Sequence, residues 1–148
     1  MKKFAFPLGR VLDWRAMQAQ AEESKLERLY AELRAIDSKE AALMRQRADS
    51  ERALLAAASA TGAELAALDT FRRFTVTEHT RLENLRADCS KRIAEQIKIV
   101  SAKRRDLRLL ERMRTQRFQA WTREFHREID GQADEAYLAK WRPAGNVR

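Results

Sequence analysis

Histidine and cysteine, which are frequent in acid–base, nucleophilic and metal chemistry, are scarce in this chain of 148 residues. There are two histidines, His79 and His126, and one cysteine, Cys89. A catalytic base or a metal site needs such side chains within hydrogen-bonding or coordination distance of each other. The two histidines are too far apart along the predicted helices to share a site. We interpret them as surface or interhelical residues and Cys89 as a small buried side chain.

The short motifs of common active sites are also missing from the sequence. It has no glycine-rich phosphate loop, no H-E-x-x-H, no C-x-x-C and no nucleophile elbow. A single cysteine excludes an intrachain disulfide and is typical of a reducing compartment. We therefore expect a protein that is not an enzyme and that has no cofactor and no metal.

A cluster of positive charge is the strongest local signal. The basic run comprises the eight basic side chains between positions 98 and 117: Lys98, Lys103, Arg104, Arg105, Arg108, Arg112, Arg114 and Arg117. Asp106 and Glu111 are the acids there, and the whole chain has a net charge of +8. The run is either a solvated helix face or a docking surface for an acidic partner, and we favour docking. Nucleic acid is the alternative partner, but the aromatic residues are not interleaved with the basic ones as stacking would require.

The helices that position these residues follow from the spacing of glycine and proline. No helix breaker lies between Gly9 and Gly62 or between Gly62 and Gly131. We predict a first helix over about 7–57, a turn at 58–61, and a second helix over about 62–130, with a continuation to 141 if the helix passes Gly131. Thr61 and Glu64 have the spacing of a capping box at the start of the second helix.

Apolar residues at alternating spacings of three and four predict a coiled-coil seam, the line of side chains that faces the other helix. In the first helix it contains Ala19, Leu26, Leu29, Leu33, Ile36, Leu43, Leu54 and Ala57, with Glu22, Glu40, Arg47 and Ser50 in the same frame. In the second helix it contains Leu68, Phe71, Leu82, Leu85, Cys89, Ile93, Ile97, Val100, Leu107 and Leu110. Two successive steps of four, through Ile93 and Ile97, indicate a stutter.

Matching the two seams predicts the fold class, which is all-α: an elongated two-helix antiparallel coiled-coil hairpin. Residue i of the first helix then faces roughly residue 119 − i. Glu40 and Arg47 face polar positions near Arg72 and His79. We therefore expect the half of the seam near the turn to be the less stable half.

The second helix is predicted to be longer than its partner, so its seam continues past the first helix. This aromatic stripe consists of Phe118, Trp121, Phe125 and Ile129. An unpaired aromatic stripe is a candidate binding surface. Alternatively, the N-terminal residues Phe4, Phe6, Val11 and Trp14 fold back and cover it.

Two stretches resemble the flagellar export protein FliJ family. Residues 4–15, FAFPLGRVLDWR, resemble the family's F-x-F-x-L-x-x-V-L-x-x-R opening, and residues 110–114, LERMR, resemble its L-E-x-[LM]-[KR] stretch. Glu124, Arg127-Glu128 and Asp134-Glu135 stand where the family tends to have its R-x-E and D-E positions. The chain departs from the pattern at Gly131 and lacks the glutamine that often follows the Glu128 position.

The resemblance implies a non-enzymatic central stalk and adaptor of the flagellar type III protein export apparatus. Its partners would be a hexameric export ATPase, an export gate membrane protein and export chaperones. We expect ATPase contacts at Arg104, Arg105, Arg108, Arg112, Arg114, Phe118 and Trp121. We expect gate contacts at Tyr30, Phe71 and Phe74.

The same resemblance implies a cytoplasmic protein that associates peripherally with the export apparatus at the inner membrane. The sequence has no apolar stretch of membrane-spanning length, and nucleic acid is not an expected partner. The setting is open between a flagellum and the related injectisome, and the free protein is either a monomer or a weak dimer.

Overall fold

A computed structural model describes residues 3–141, and it places two long helices in them. α1 spans Gly9–Ala56 and α2 spans Gly62–Lys140. The two helices pack against each other, and the described residues contain no strand. The predicted all-α two-helix hairpin is confirmed.

The bounds of the two helices have simple local causes. α1 begins at Gly9, just after a turn in which the Gly9 N–H donates to the Phe6 carbonyl at 3.0 Å. It ends at Ala56, where the Ala57 N–H donates to the Leu54 carbonyl at 3.3 Å. α2 continues through Gly131 to Lys140, because one glycine costs a helix only about 1 kcal/mol relative to alanine.

The start of α2 has the capping box that the sequence predicts. The Thr61 N–H donates to the Glu64 carboxylate at 2.8 Å, and the Glu64 N–H donates to the Thr61 hydroxyl at 3.2 Å. Hydrogen bonding of the Glu64 carboxyl group to Thr61, to its backbone N–H first and to its side chain second, lowers the pKa of Glu64. Two backbone donors that the first turn would otherwise leave unpaired are satisfied in this way.

The chain divides into two compact units, and the larger one comprises residues 20–102. Its core is made of buried residues from both helices: Ile36, Leu43, Leu82, Cys89 and Ile93. Leu26, Leu29 and Leu33 pack against this cluster. His79 lies 3.2 Å from Glu40 and the Cys89 thiol lies 3.5 Å from the Leu29 carbonyl, so the helices are antiparallel in the predicted register.

The seam of α1 is confirmed, including its polar members. From Leu26 to Leu54, every position of the 3-4 frame is buried or half-buried, and this holds for Glu40, Arg47 and Ser50 as well. Ala57 is exposed, and the prediction that it joins the seam was wrong because α1 ends one residue earlier.

The seam of α2 needed correction at two positions. Leu85 is 41% exposed and Ile97 is 44% exposed, whereas Gln96 is buried. The seam therefore steps from Cys89 to Ile93, Gln96 and Val100, which is a regular heptad spacing without a stutter. Gln96 is stable there because its side-chain amide donates to the Glu22 carbonyl at 3.0 Å and to the Glu22 carboxylate at 2.7 Å.

The second unit comprises residues up to Ala19 together with those from Lys103 onward. Leu107 and Leu110 are half-buried in it, and Arg15 of α1 forms an ion pair with Asp106 of α2 at 3.4 Å. The residues that precede α1, which we call the N-terminal arm, contact α2 here: the ring of Phe4 lies edge-on to Phe118, with a centroid distance of 5.1 Å.

Neither helix has, within residues 3–141, a stretch long and apolar enough to cross a membrane.

Candidate partner-binding surfaces

The basic run lies on the surface of α2. All five arginines predicted to contact an ATPase have exposed side chains: Arg104, Arg105, Arg108, Arg112 and Arg114. Arg104, Arg108 and Arg112 are spaced four residues apart, so they form one row along the helix. Lys103, in contrast, is half-buried at a seam position. The row is a concentrated positive surface supported by a continuous helix.

The basic run contains two acidic residues. Asp106 is engaged from α1, because the Arg15 guanidinium lies 3.4 Å from its carboxylate. Glu111 is the remaining acid, and it lines a shallow groove of α2 with Arg108 and Arg112. An acidic partner surface would therefore meet several arginines and one competing carboxylate.

The aromatic stripe is partly covered by the N-terminal arm. Phe4 packs against Phe118 and Trp121, with centroid distances of 5.1 and 5.9 Å. Trp121 in turn stacks on Phe125 at 5.1 Å. Phe118 is still 48% exposed. Of the two alternatives left open by the sequence, coverage holds for Phe4, while part of the stripe stays accessible.

The basic run and the aromatic stripe meet in one place. Phe4, Arg114 and Phe118 line a shallow groove of about 420 Å³ together with Glu111 and Thr115. Two of the residues predicted to contact an ATPase, Arg114 and Phe118, are therefore brought together. Such a groove can accept a side chain that presents an apolar body and a negative tip.

A second candidate surface lies near the turn. Phe71 and Phe74 stack with a centroid distance of 6.4 Å, and Phe74 is 55% exposed. Phe71 lines an apolar groove of about 400 Å³ with Leu54 and Leu68 of the two helices. Both phenylalanines predicted to contact an export gate are thus brought together.

Tyr30 does not belong to that surface. It follows Leu29, whose carbonyl is in contact with Cys89, so it lies level with Cys89 of α2. Phe74 is fifteen residues from Cys89 along the same helix, which corresponds to about 22 Å. Tyr30 is 38% exposed and is a separate candidate contact.

The residues with catalytic potential have structural surroundings. Cys89 is fully buried in the core, as predicted. His79 is half-buried between two carboxylates, with Glu40 at 3.2 Å and Glu83 at 3.4 Å. His126 is exposed and lies edge-on to the ring of Phe125. The part of the chain that the structure describes has no group of three or more residues placed to hold a metal ion.

Sequence reasoning missed the exposed leucines that flank the turn. Leu55 is 85% exposed and Leu65 is 51% exposed. Leu55 directly follows the seam residue Leu54, which lines the groove between the helices, so a strict frame of three and four would have left Leu55 on the surface. Leu65 lies three residues before Leu68 and keeps the frame, so its exposure is not readable from the spacing.

Comparison of the chain with protein-family models, with curated proteins and with solved structures found no match.

Proposed function

We propose that this chain is a non-enzymatic coiled-coil adaptor of a type III protein export apparatus, a stalk protein that binds a hexameric export ATPase. The observation that carries the proposal is an antiparallel two-helix hairpin whose long second helix presents a row of exposed arginines. The opening residues 4–15 and the stretch 110–114, which resemble the FliJ family, lie in the same compact unit as this row.

The regular seam is compatible with the proposed stalk role, because a stalk must keep its two helices in one register. Its α1 frame is buried or half-buried continuously from Leu26 to Leu54, and the polar member Gln96 of α2 has its partner in Glu22. A polar pair within a seam favours one register over its neighbours. A partner that recognises residues spread along the hairpin requires such a fixed register.

We assign a different partner to each of the two candidate surfaces. The arginine row with Phe118 and Trp121 is the proposed ATPase contact. Phe71 and Phe74 with the apolar groove beside them are the proposed contact with the export gate, and Tyr30 is an additional one. Export chaperones are the remaining proposed partners, and the protein acts in the cytoplasm at the inner membrane.

The test is stimulation of ATP hydrolysis by the cognate export ATPase. The double variant Arg108→Glu/Arg112→Glu reverses two charges in one row, so we expect it to abolish stimulation while the helical circular dichroism is unchanged. The matched control is Arg34→Glu/Arg45→Glu, which makes the same charge change at exposed positions of α1. We expect the control to stimulate like the wild type.

Undiminished stimulation by the Arg108/Arg112 variant would show that the arginine row is not the ATPase contact. The exposed basic run also suits a nucleic acid, which is the second candidate partner. Tight binding to DNA or RNA that weakens steeply with salt, together with no effect on the ATPase, would replace the export role by that one.

A further inference from the structure

The N-terminal arm, of which the structure describes residues 3–8, lies against a surface that the proposed function needs. The ring of Phe4 packs on Phe118 and Trp121, with centroid distances of 5.1 and 5.9 Å. Phe4 also lines the shallow groove beside Arg114. Phe118, Trp121 and Arg114 are three of the proposed ATPase contacts, so the arm and an ATPase would occupy the same place on α2.

The backbone of the arm is bonded only to the start of its own helix. Residues 3–8 form neither a helix nor a strand. Within residues 3–141, their backbone–backbone hydrogen bonds are local: the Gly9 N–H donates to the Phe6 carbonyl at 3.0 Å, and the Leu12 N–H donates to the Leu8 carbonyl at 2.9 Å. Both of these hydrogen bonds can stay in place while Phe4 moves away from α2.

The contact between the arm and α2 is a partial one. Phe4 is half-buried, and Phe118 is still 48% exposed beside it. The core residue Leu82, in contrast, is 3% exposed. An aromatic contact of this kind shifts an equilibrium by about two- to tenfold. This is enough to keep the arm closed in most free molecules, and too little to exclude a partner that binds tightly.

The groove under the arm indicates what would replace Phe4. Phe118 provides an aromatic face there, and Arg114 provides an exposed guanidinium. The arm supplies the ring of Phe4 but no acidic side chain, since residues 3–8 read KFAFPL. A partner segment that carries an aromatic side chain beside a carboxylate would fill the apolar position and also bind Arg114, so it would displace the arm.

We propose that the N-terminal arm is autoinhibitory: Phe4 occupies the apolar part of the ATPase contact until an ATPase segment with an aromatic side chain beside a carboxylate displaces it. This inference rests on the proposed function. The apparent affinity for the ATPase is then the intrinsic affinity multiplied by the fraction of molecules whose arm is open. Removing the ring of Phe4 removes this cost and leaves every contact residue of α2 in place.

A dye titration tests the arm without any ATPase. The probe is anilinonaphthalene sulfonate, whose aromatic rings and negative sulfonate have the chemistry that the groove under the arm accepts. Trp14→Phe and Trp141→Phe, at side chains that are 50% and 72% exposed, leave Trp121 as the only tryptophan, and dye bound beside it quenches its emission. Phe4→Ala in this background should reach half-saturation at about two- to tenfold less dye, and both proteins should reach the same end point.

Phe74→Ala is the matched control for the dye titration. It removes an exposed phenylalanine ring from the other compact unit, so it should titrate like the protein that retains Phe4. Equal half-saturation with and without the ring of Phe4 would show that the arm does not compete for this surface. A lower end point in the protein that retains Phe4, at any dye concentration, would show that the arm is a fixed cover. Either result would overturn the proposal.

Stimulation of the export ATPase measures the functional consequence. With Phe4→Ala, the concentration that gives half-maximal stimulation should fall by the same factor as in the dye titration, while the maximal stimulation stays unchanged. A Phe4 that is merely structural would leave this concentration unchanged or raise it, and the inhibitory role would then be wrong. If neither the wild type nor Phe4→Ala stimulates, the proposed export role fails and the inhibitory role fails with it, whereas the dye titration separately decides whether the arm is displaceable.

Discussion

At the scale of single residues, the seam of α2 is decided by which side chains α1 covers. Ile93 is 7% exposed and Ile97 is 44% exposed, although they are the same residue type one helical turn apart. Gln96 takes the buried position beside them because Glu22 supplies two acceptors for its amide. Hydrophobicity alone favours Ile97, whereas the geometry of two packed helices favours Gln96.

This assignment predicts unequal costs for two identical substitutions. Ile93→Ala should lower the free energy of unfolding by about 2–5 kcal/mol, because it leaves a cavity in the core. Ile97→Ala should change it by about 0.5 kcal/mol, as is usual for a surface position. Urea denaturation followed by circular dichroism measures both. Equal losses would mean that Ile97 belongs to the seam after all.

At the scale of the helices, the turn owes its position to the capping box rather than to packing. Thr61 and Glu64 are exposed, yet they exchange two hydrogen bonds. Thr61→Ala should cost about 1 kcal/mol, the usual value for the loss of an N-cap side chain. Thr70→Ala is the control, since Thr70 is exposed within α2 and its hydroxyl only donates to the Ala66 carbonyl. A similar loss in both variants would deny the cap its role.

The lowered pKa of Glu64 gives the cap a pH dependence. A carboxyl group whose pKa is lower in the folded chain stabilises the fold above its unfolded value, ordinarily 4.5, and loses this effect as the pH falls through the lowered value. The wild type should therefore be more stable than Glu64→Gln near pH 7, and the difference should shrink below pH 4.5 and vanish once the pH is below the lowered pKa of Glu64. Thermal unfolding of both proteins across this range is the measurement. A constant difference would contradict the charge-dependent cap.

At the scale of the whole molecule, stability is expected to vary along the helices. The buried core cluster joins Ile36 and Leu43 of α1 to Leu82, Cys89 and Ile93 of α2. Towards the turn, charged groups lie at and beside the seam: Glu51 accepts from Arg47 and from Arg72, and these hydrogen bonds lower its pKa. Exposed ion pairs of this kind contribute little to stability.

Native-state hydrogen exchange should reveal this gradient. Amides near the core cluster, in residues 29–43 and 82–93, should exchange slowest, because opening them exposes the most apolar surface. Amides in residues 44–56 and 62–75 should exchange faster, although they are equally helical. Uniform protection along both helices would contradict a less stable half near the turn.

The sequence by itself determined the fold class, the position of the turn and the seam of α1, because these depend on local signals. Gly62 and the Thr61–Glu64 pair mark where α2 begins, and the 3-4 spacing from Leu26 to Leu54 needs no knowledge of the partner helix. It also identified the basic run, and all of the arginines in this run have exposed side chains in the structure.

Only the tertiary structure decided which residues meet across the helices. The choice of Gln96 over Ile97 depends on Glu22, seventy-four positions away in the sequence. The packing of Phe4 on Phe118 and the pairing of Arg15 with Asp106 are likewise contacts between distant residues. The periodicity of one helix specifies which face is apolar, but the burial of each side chain on that face is set by the residues that the other helix places against it.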